Sequence, residues 1–281
     1  EDEDFTRGLQ QWTSSDGKKF IPASKTVLRL PPAAYEIRSS QSVGVYFEKF
    51  DVKTEGLVRF PDSNNDLVIE EIAKFWERKH LFDEFGLTYK RGLCLWGPPG
   101  GGKSTSVQFI MKDVISRGGI VLKFTHPNLF MQGMRIFREV QPDTPVVVLM
   151  EDIDSIIQAY CESDVLNLLD GVDQISRTVF LATTNYPEEL GDRVINRPSR
   201  FDKRFFIGYP KEAARNSYFR HLLKGNSKLE GQELEDYIDQ RAKDLDVDLK
   251  VWVRETEEFS IAHLKELFVA VVIQGDDLDE A

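Results

Sequence analysis

Gly97-Pro98-Pro99-Gly100-Gly101-Gly102-Lys103-Ser104 is the stretch whose reading decides the fold. It satisfies G-x-x-x-x-G-K-[ST], a pattern with a mechanism attached to each position. The glycines let the backbone curl with its amide N–H groups facing phosphate oxygens, Lys103 reaches the β- and γ-phosphates, and the Ser104 hydroxyl is suited to ligate Mg²⁺. Thr105 follows directly and completes the set expected to contact the phosphates. The flanks agree with the motif: Gly92-Leu93-Cys94-Leu95-Trp96 reads as a short buried strand, and Thr105 to Met111 as an amphipathic helix that aims its positive end at the loop. Strand, phosphate loop and helix in this order open a parallel α/β sheet, and the ligand they imply is a nucleoside triphosphate.

Working outward, Val146-Val147-Val148-Leu149-Met150 is an apolar strand that ends in Glu151-Asp152-Ile153-Asp154. A buried strand ending in acids beside a phosphate loop is a Walker B arrangement, in which one carboxylate orients Mg²⁺ and the next polarises the attacking water. Thr178 to Thr184 is a further apolar strand, and Asn185 at its end is placed to hydrogen-bond the γ-phosphate or that water. Candidate strands at 119–124, 145–150, 178–183 and 205–208 alternate with helical stretches, the pattern of an open parallel sheet covered on both faces. After Pro210 the chain reads as wholly helical, over 213–223, around 232–243 and over 261–273. The division expected is a β-rich segment at 1–60, a large α/β domain at 61–210 and a helical lid with an acidic tail at 211–281. Within the first segment, Val27 to Leu30, Tyr35 to Arg38 and Val43 to Glu48 predict two or three antiparallel strands, serving as a partner module or as a buttress. The apolar spacing from Asn65 to Phe85 predicts a helix.

The phosphate loop, Glu151-Asp152, Asn185 and Arg197-Pro198-Ser199-Arg200-Phe201-Asp202, in this order, resemble the AAA family of ATPases within the AAA+ superfamily. The resemblance runs from about Asn65 to Ile273. Its most specific part is Leu166 to Gly171 followed by Ala182 to Asn185 and Arg197 to Asp202, which is similar to the second region of homology of AAA proteins. It implies ATP and Mg²⁺ as ligands, a homo-oligomeric ring, expected to be a hexamer, with ATP at the subunit interfaces, Asn185 as sensor 1, and Arg197 and Arg200 as arginine fingers on the neighbour's γ-phosphate. A guanidinium supplied in trans neutralises charge that develops during transfer. The alternative for the arginines is an ion pair with Asp202 or Asp192. The order Glu151-Asp152 reverses the family's usual Asp-Glu and resembles the Bcs-type branch; by position Glu151 serves Mg²⁺ and Asp152 the water. No membrane anchor typical of that branch is read here, so its substrate is not carried over. Glu77-Arg78-Lys79-His80 lacks H-E-x-x-H spacing, which argues against a zinc protease.

In many proteins of this kind an aromatic residue after the second strand grips a protein substrate in a central pore. Phe130 and Met131 are the large apolar residues of that stretch, but Phe130, Met134 and Phe137 also keep the spacing of a buried helical face, and both readings stand. Val58 to Asp62 lies where adenine packs in the family, and Ser260-Ile261-Ala262 occupies the lid position, without a sensor 2 arginine. The implied function is an ATP-driven motor that remodels, unfolds or translocates protein. The rivals are a nucleic-acid motor or loader and a nucleotide-switched scaffold.

Composition narrows these classes. The 281 residues are 41% hydrophobic, enough for a core. Lys and Arg number 36 against 47 acids, a net charge of −11, with eight of the acids in Glu1 to Asp4 and among Asp276, Asp277, Asp279 and Glu280. Such a balance disfavours binding nucleic acid through a broad basic face. The first residue is Glu1, so the natural start is expected to lie upstream. The longest apolar runs fall far short of the roughly 20 residues of a membrane helix. Two cysteines, Cys94 and Cys161, suggest no disulfide framework or zinc site, and a reducing, cytoplasmic compartment is expected.

Overall fold

Strands that are apolar at every position need both faces covered, and the architecture follows from that demand. The structure is a computed structural model that describes residues 11–13, 21–23, 27–53, 57–58, 64–160, 162–170, 176–191 and 200–278. In chain order its strands are β1 (Gln11–Thr13), β2 (Ile21–Ala23), β3 (Ala34–Ser40), β4 (Gly44–Phe50), β5 (Lys90–Trp96), β6 (Ile120–Lys123), β7 (Val146–Met150), β8 (Thr178–Thr184) and β9 (Lys203–Phe206). The helices are α1 (Asn65–Glu77), α2 (Lys79–Glu84), α3 (Lys103–Ser116), α4 (Pro127–Val140), α5 (Ile153–Ala159), α6 (Glu162–Asp170), α7 (Glu212–Lys224), α8 (Gly231–Asp244), α9 (Leu249–Glu255) and α10 (Ile261–Phe268). β1 and β2 form a small antiparallel pair, and the other strands form one sheet in the order β4-β3-β6-β7-β8-β5-β9. Every pairing in that sheet is parallel except β3 with β4.

The period-2 alternation of strand side chains divides the core in two. Val146, Val148 and Met150 of β7 face a cluster with Phe130, Met134 and Phe137 of α4 and Val165 and Leu169 of α6, whereas Val147 and Leu149 face Val68 and Ile72 of α1 and Val107, Ile110 and Val114 of α3. A third cluster, with Phe219, Leu223, Ile238, Trp252 and Leu264, holds the helical lid together.

Several sequence expectations need correction. Val27 to Leu30 is not a strand; Pro31 and Pro32 follow at once and cannot donate to a ladder, and the Leu30 amide donates instead to Gln141 Oε1 at 2.6 Å. The β3–β4 hairpin belongs to the main sheet, because Ala34 to Glu36 pair with Val121 to Lys123. It therefore extends the α/β layer across the boundary expected at residue 60. Phe130 is fully buried inside α4, 5.3 Å from the Phe124 ring, so core packing is its role. The lid contains α9, which sequence periodicity passed over although Asp248 caps it by accepting from Lys250 and Val251 amides. The last helix ends as α-helix at Phe268 and continues as a π-helical turn, Val269–Gln274, closed by Gly275 at φ 85°. Among the described residues, no helix is long and apolar enough to cross a membrane.

Candidate active site

The phosphate loop joins β5 to α3, and β5 lies between β8 and β9, at the point where the sheet changes direction. Crevices outside the carboxyl ends of strands at such a switch point are where α/β sheets bind ligands. Gly97, Gly100 and Gly102 have φ of 152°, 73° and 99°, so the curl relies on conformations that side-chain-bearing residues rarely adopt. Gly97 is fixed by space as well: a Cβ there would lie 2.1 Å from the carbonyl oxygen of Ile207, whose own amide donates to the Trp96 carbonyl at 2.8 Å. The segment that leads into the lid is thus stitched to the loop. A Cβ on Gly100 would lie 2.7 Å from Ser260 Oγ, at the cap of α10, so the lid touches the loop from the other side.

Lys103 is buried, and its Nζ donates to the carbonyls of Gly97 and Pro98, each at 2.8 Å. Burial pushes its ammonium below the usual lysine range, while Asp152 and Asp154 push it back up. These two carboxylates are the ones that act on Lys103. Asp152 takes a left-handed backbone, φ 48° and ψ 59°, as the residue before α5, and its amide donates to Thr183 Oγ1 at 3.0 Å. Asp154 is buried and accepts from Thr184 Oγ1 at 2.7 Å. Adjacent hydroxyls on β8 therefore hook both acids to the strand beside the P-loop strand. A non-glycine residue held at positive φ stores strain that clusters at working sites. Glu151 lies 3.4 Å from Lys123 Nζ of β6. Ser104 is exposed at the start of α3, and Asn185 is half-buried just past β8. Asp154, Thr183 and Thr184 were not assigned roles from sequence. The signal for Asp154 was its place two residues after Asp152; the threonines offered none, since both read as strand.

The arginines separate. Arg197, like Cys161 and Asp192, lies outside the described residues. Arg200 is 3% exposed and donates twice to Asp170, Nε to Oδ1 at 2.9 Å and Nη2 to Oδ2 at 2.6 Å. The expected alternative partners were Asp202 and Asp192; the structure adds Asp170 at the end of α6, because the chain after 199 dives under β5. A Cβ on Gly92 would meet the Arg200 carbonyl oxygen at 1.4 Å, so only glycine admits this approach. Nearby, Lys90 is buried against the Leu169 carbonyl, with burial lowering its ammonium below the usual lysine value and Asp170 and Asp202 opposing that shift.

Beyond the loop a cavity of about 200 Å³ opens between the large domain and the lid, lined by Val58, Asn64, Asn65, Gly102, Thr105, Ile207, Tyr209, Ala214 and Ile261 among others. The residues present fit a nucleoside triphosphate: glycine amides, a lysine and the N-terminal end of α3 suit its phosphates, and a largely apolar cavity suits a base. Ser104, with Glu151 or Asp152 behind it, would hold Mg²⁺.

Such a site, on such a sheet, defines a P-loop ATPase. Residues 93–209 match the family described as "ATPase family associated with various cellular activities (AAA)". The chain is 30% identical over 155 residues to a probable mitochondrial chaperone bcs1 of Schizosaccharomyces pombe, covering 50% of this chain and 34% of that protein. It is 25% identical over 269 residues to the mitochondrial inner membrane i-AAA protease supercomplex subunit YME1 of Saccharomyces cerevisiae, 84% of this chain and 34% of that protein. It is 29% identical over 166 residues to a cell division cycle protein 48 homolog of Archaeoglobus fulgidus, 53% of this chain and 22% of that protein. The chain thus spans about a third or less of each of these relatives. It carries an ATPase domain of the AAA family.

Proposed function

We propose that the chain is the motor part of a ring, hexameric by family resemblance, that hydrolyses ATP to remodel, unfold or translocate protein. The observation that carries this reading is a phosphate loop with a buried Lys103 after β5 and, at the end of the adjacent β8, the acids Asp152 and Asp154 held by Thr183 and Thr184, the least that a phosphoryl-transfer site needs. In this reading Lys103 leaves its loop carbonyls for the β- and γ-phosphates, Asp152 accepts the proton of the attacking water, and Asn185 orients that water. Asp154, held by Thr184, keeps α5 and Asp152 in place. Mg²⁺, when bound, neutralises β- and γ-phosphate charge. Arg197 of the neighbouring subunit supplies the last positive charge, while Arg200 is seated on Asp170 of its own chain. Contacts of Ile207 and Ser260 with the loop give the lid a direct mechanical link to the phosphates. Two relatives, one described as a probable chaperone and one as a protease subunit, support protein as the client, as does the acidic charge.

The test mixes two inactive forms. Lys103→Ala subunits keep their fingers and Arg197→Ala subunits keep their phosphate loops, so mixed rings contain some complete interfaces. ATPase activity above that of either form alone is expected. Rings shown by mass to be mixed, yet without activity at any ratio, would sink the assignment of Arg197 in trans.

A further inference from the structure

Thr184 closes β8, is 0% exposed, and lies in register with Trp96, the residue before the phosphate loop. A hydroxyl buried in an apolar strand is costly unless its hydrogen bonds are made, and valine would fill the same space without that cost. Both bonds of this hydroxyl go to working segments. Its Oγ1 donates to Oδ1 of the buried Asp154 at 2.7 Å and accepts from the Tyr186 amide at 3.0 Å. The second bond, from a side chain to the amide two residues on, is a local turn that fixes the peptides on either side of the residue between. That residue is Asn185. One hydroxyl therefore fastens Asn185 to the first turn of α5, the helix that Asp152 immediately precedes, while Thr183 Oγ1 beside it accepts from the Asp152 amide at 3.0 Å.

We propose that Thr184 is a positioning residue for hydrolysis: its hydroxyl fixes the backbone of Asn185 relative to α5, so that the residue that orients the attacking water and the one that accepts its proton move as one body. This rests on the catalytic reading above. Without the hydroxyl the Tyr186 amide is released and Asn185 loses its fixed direction, whereas the phosphate loop is untouched. The loss should therefore fall on turnover and not on ATP binding, because a small misplacement near reacting atoms is costly to the chemical step alone.

The experiment measures kcat, KM and bound ATP on the full chain for wild type, Thr184→Val, Thr184→Ser and Thr184→Cys, each with Asn185 present and with Asn185→Ala. Turnover is taken per ATP-binding chain, so an unfolded fraction cancels. Thr184→Val should bind ATP within about twofold of wild type and turn it over about tenfold more slowly. Thr184→Ser, which keeps both bonds, should return kcat to within about threefold of wild type, and Thr184→Cys, a weak donor in the same space, should fall between. The serine and cysteine pair carries the same test if valine, which leaves Asp154 without its donor, does not fold. In the Asn185→Ala background each substitution should change the residual kcat by less than about twofold, because a group that acts through Asn185 has nothing left to position. Full turnover by Thr184→Val, no rescue by serine, or losses that multiply with that of Asn185→Ala would overturn the positioning role. Wild-type turnover by Asn185→Ala alone, or no turnover by wild type, would overturn the catalytic reading beneath it.

Discussion

The two ends of the nucleotide cleft are built on different principles. The phosphate end is one loop and the acids beside it: backbone amides, a lysine and two acids hooked to β8, Asp152 by its amide and Asp154 by its carboxylate, all charge and dipole. The base end is assembled from packed side chains on five separate stretches, Val58, Asn65, Ile207, Ala214 and Ile261, three of them belonging to the lid or the segment leading into it. Electrostatic ends demand fixed atoms and tolerate little change, whereas apolar ends demand volume and complementary shape. Changes at the first end should therefore abolish the chemistry, and changes at the second should grade it.

The largest effect is expected at the phosphate end. Lys103→Ala should lower ATP turnover by about 100-fold or more, and tripolyphosphate, which has no base, should lose affinity in parallel; unchanged tripolyphosphate binding would place the phosphates elsewhere. Next comes the arginine that the structure places inside. Breaking a buried pair is strongly destabilising, and with Asp170 partly exposed Arg200→Ala should cost about 2–3 kcal/mol of stability, read as a lowered Tm of the single chain. A finger acting only on a neighbour would leave that Tm unchanged. At the base end, Ile261→Asp should weaken ATP about tenfold while leaving tripolyphosphate affinity alone. Equal losses for both ligands would merge the two ends into one.

The smallest effect is a pH dependence confined to the lid. Burial, helped by Lys224, lowers the His221 imidazole from its ordinary value of 6.5. The unfolded chain then takes the proton more readily, so stability is constant above the ordinary value and is lost as pH falls through it toward the folded pKa. A modest drop in Tm between about pH 8 and about pH 5 that His221→Gln removes is expected. A drop of the same size in the variant would assign the acid sensitivity to other groups.

The same contrast explains what could be read in advance. Gly97 to Ser104 is contiguous, and each position answers a local need, so both the loop and the parallel sheet around it were legible. The acidic strand end was legible too, but its division of labour was not: whether Glu151 or Asp154 stands behind Asp152 depends on Lys123, Thr183 and Thr184, which sit on neighbouring strands. The hairpin at 34–50 shows the same limit, since strand propensity is local while membership of a sheet is decided by β6, some distance along the chain. Phe130 fitted two patterns until α4 was seen to begin at Pro127 and bury it. Asn65 carried no signal at all. An asparagine at a helix start is usually a cap, and only the folded structure shows its Oδ1 buried without a hydrogen-bond partner among the described residues.

The central claim is that the acids hooked to β8 perform hydrolysis at this loop, and Asp152→Asn tests it most directly. ATP bound per chain and ATP turned over should be measured together on the wild-type and variant proteins. The account predicts that the variant retains ATP with wild-type affinity and hydrolyses it about 100-fold more slowly or worse. Wild-type turnover by Asp152→Asn would contradict it.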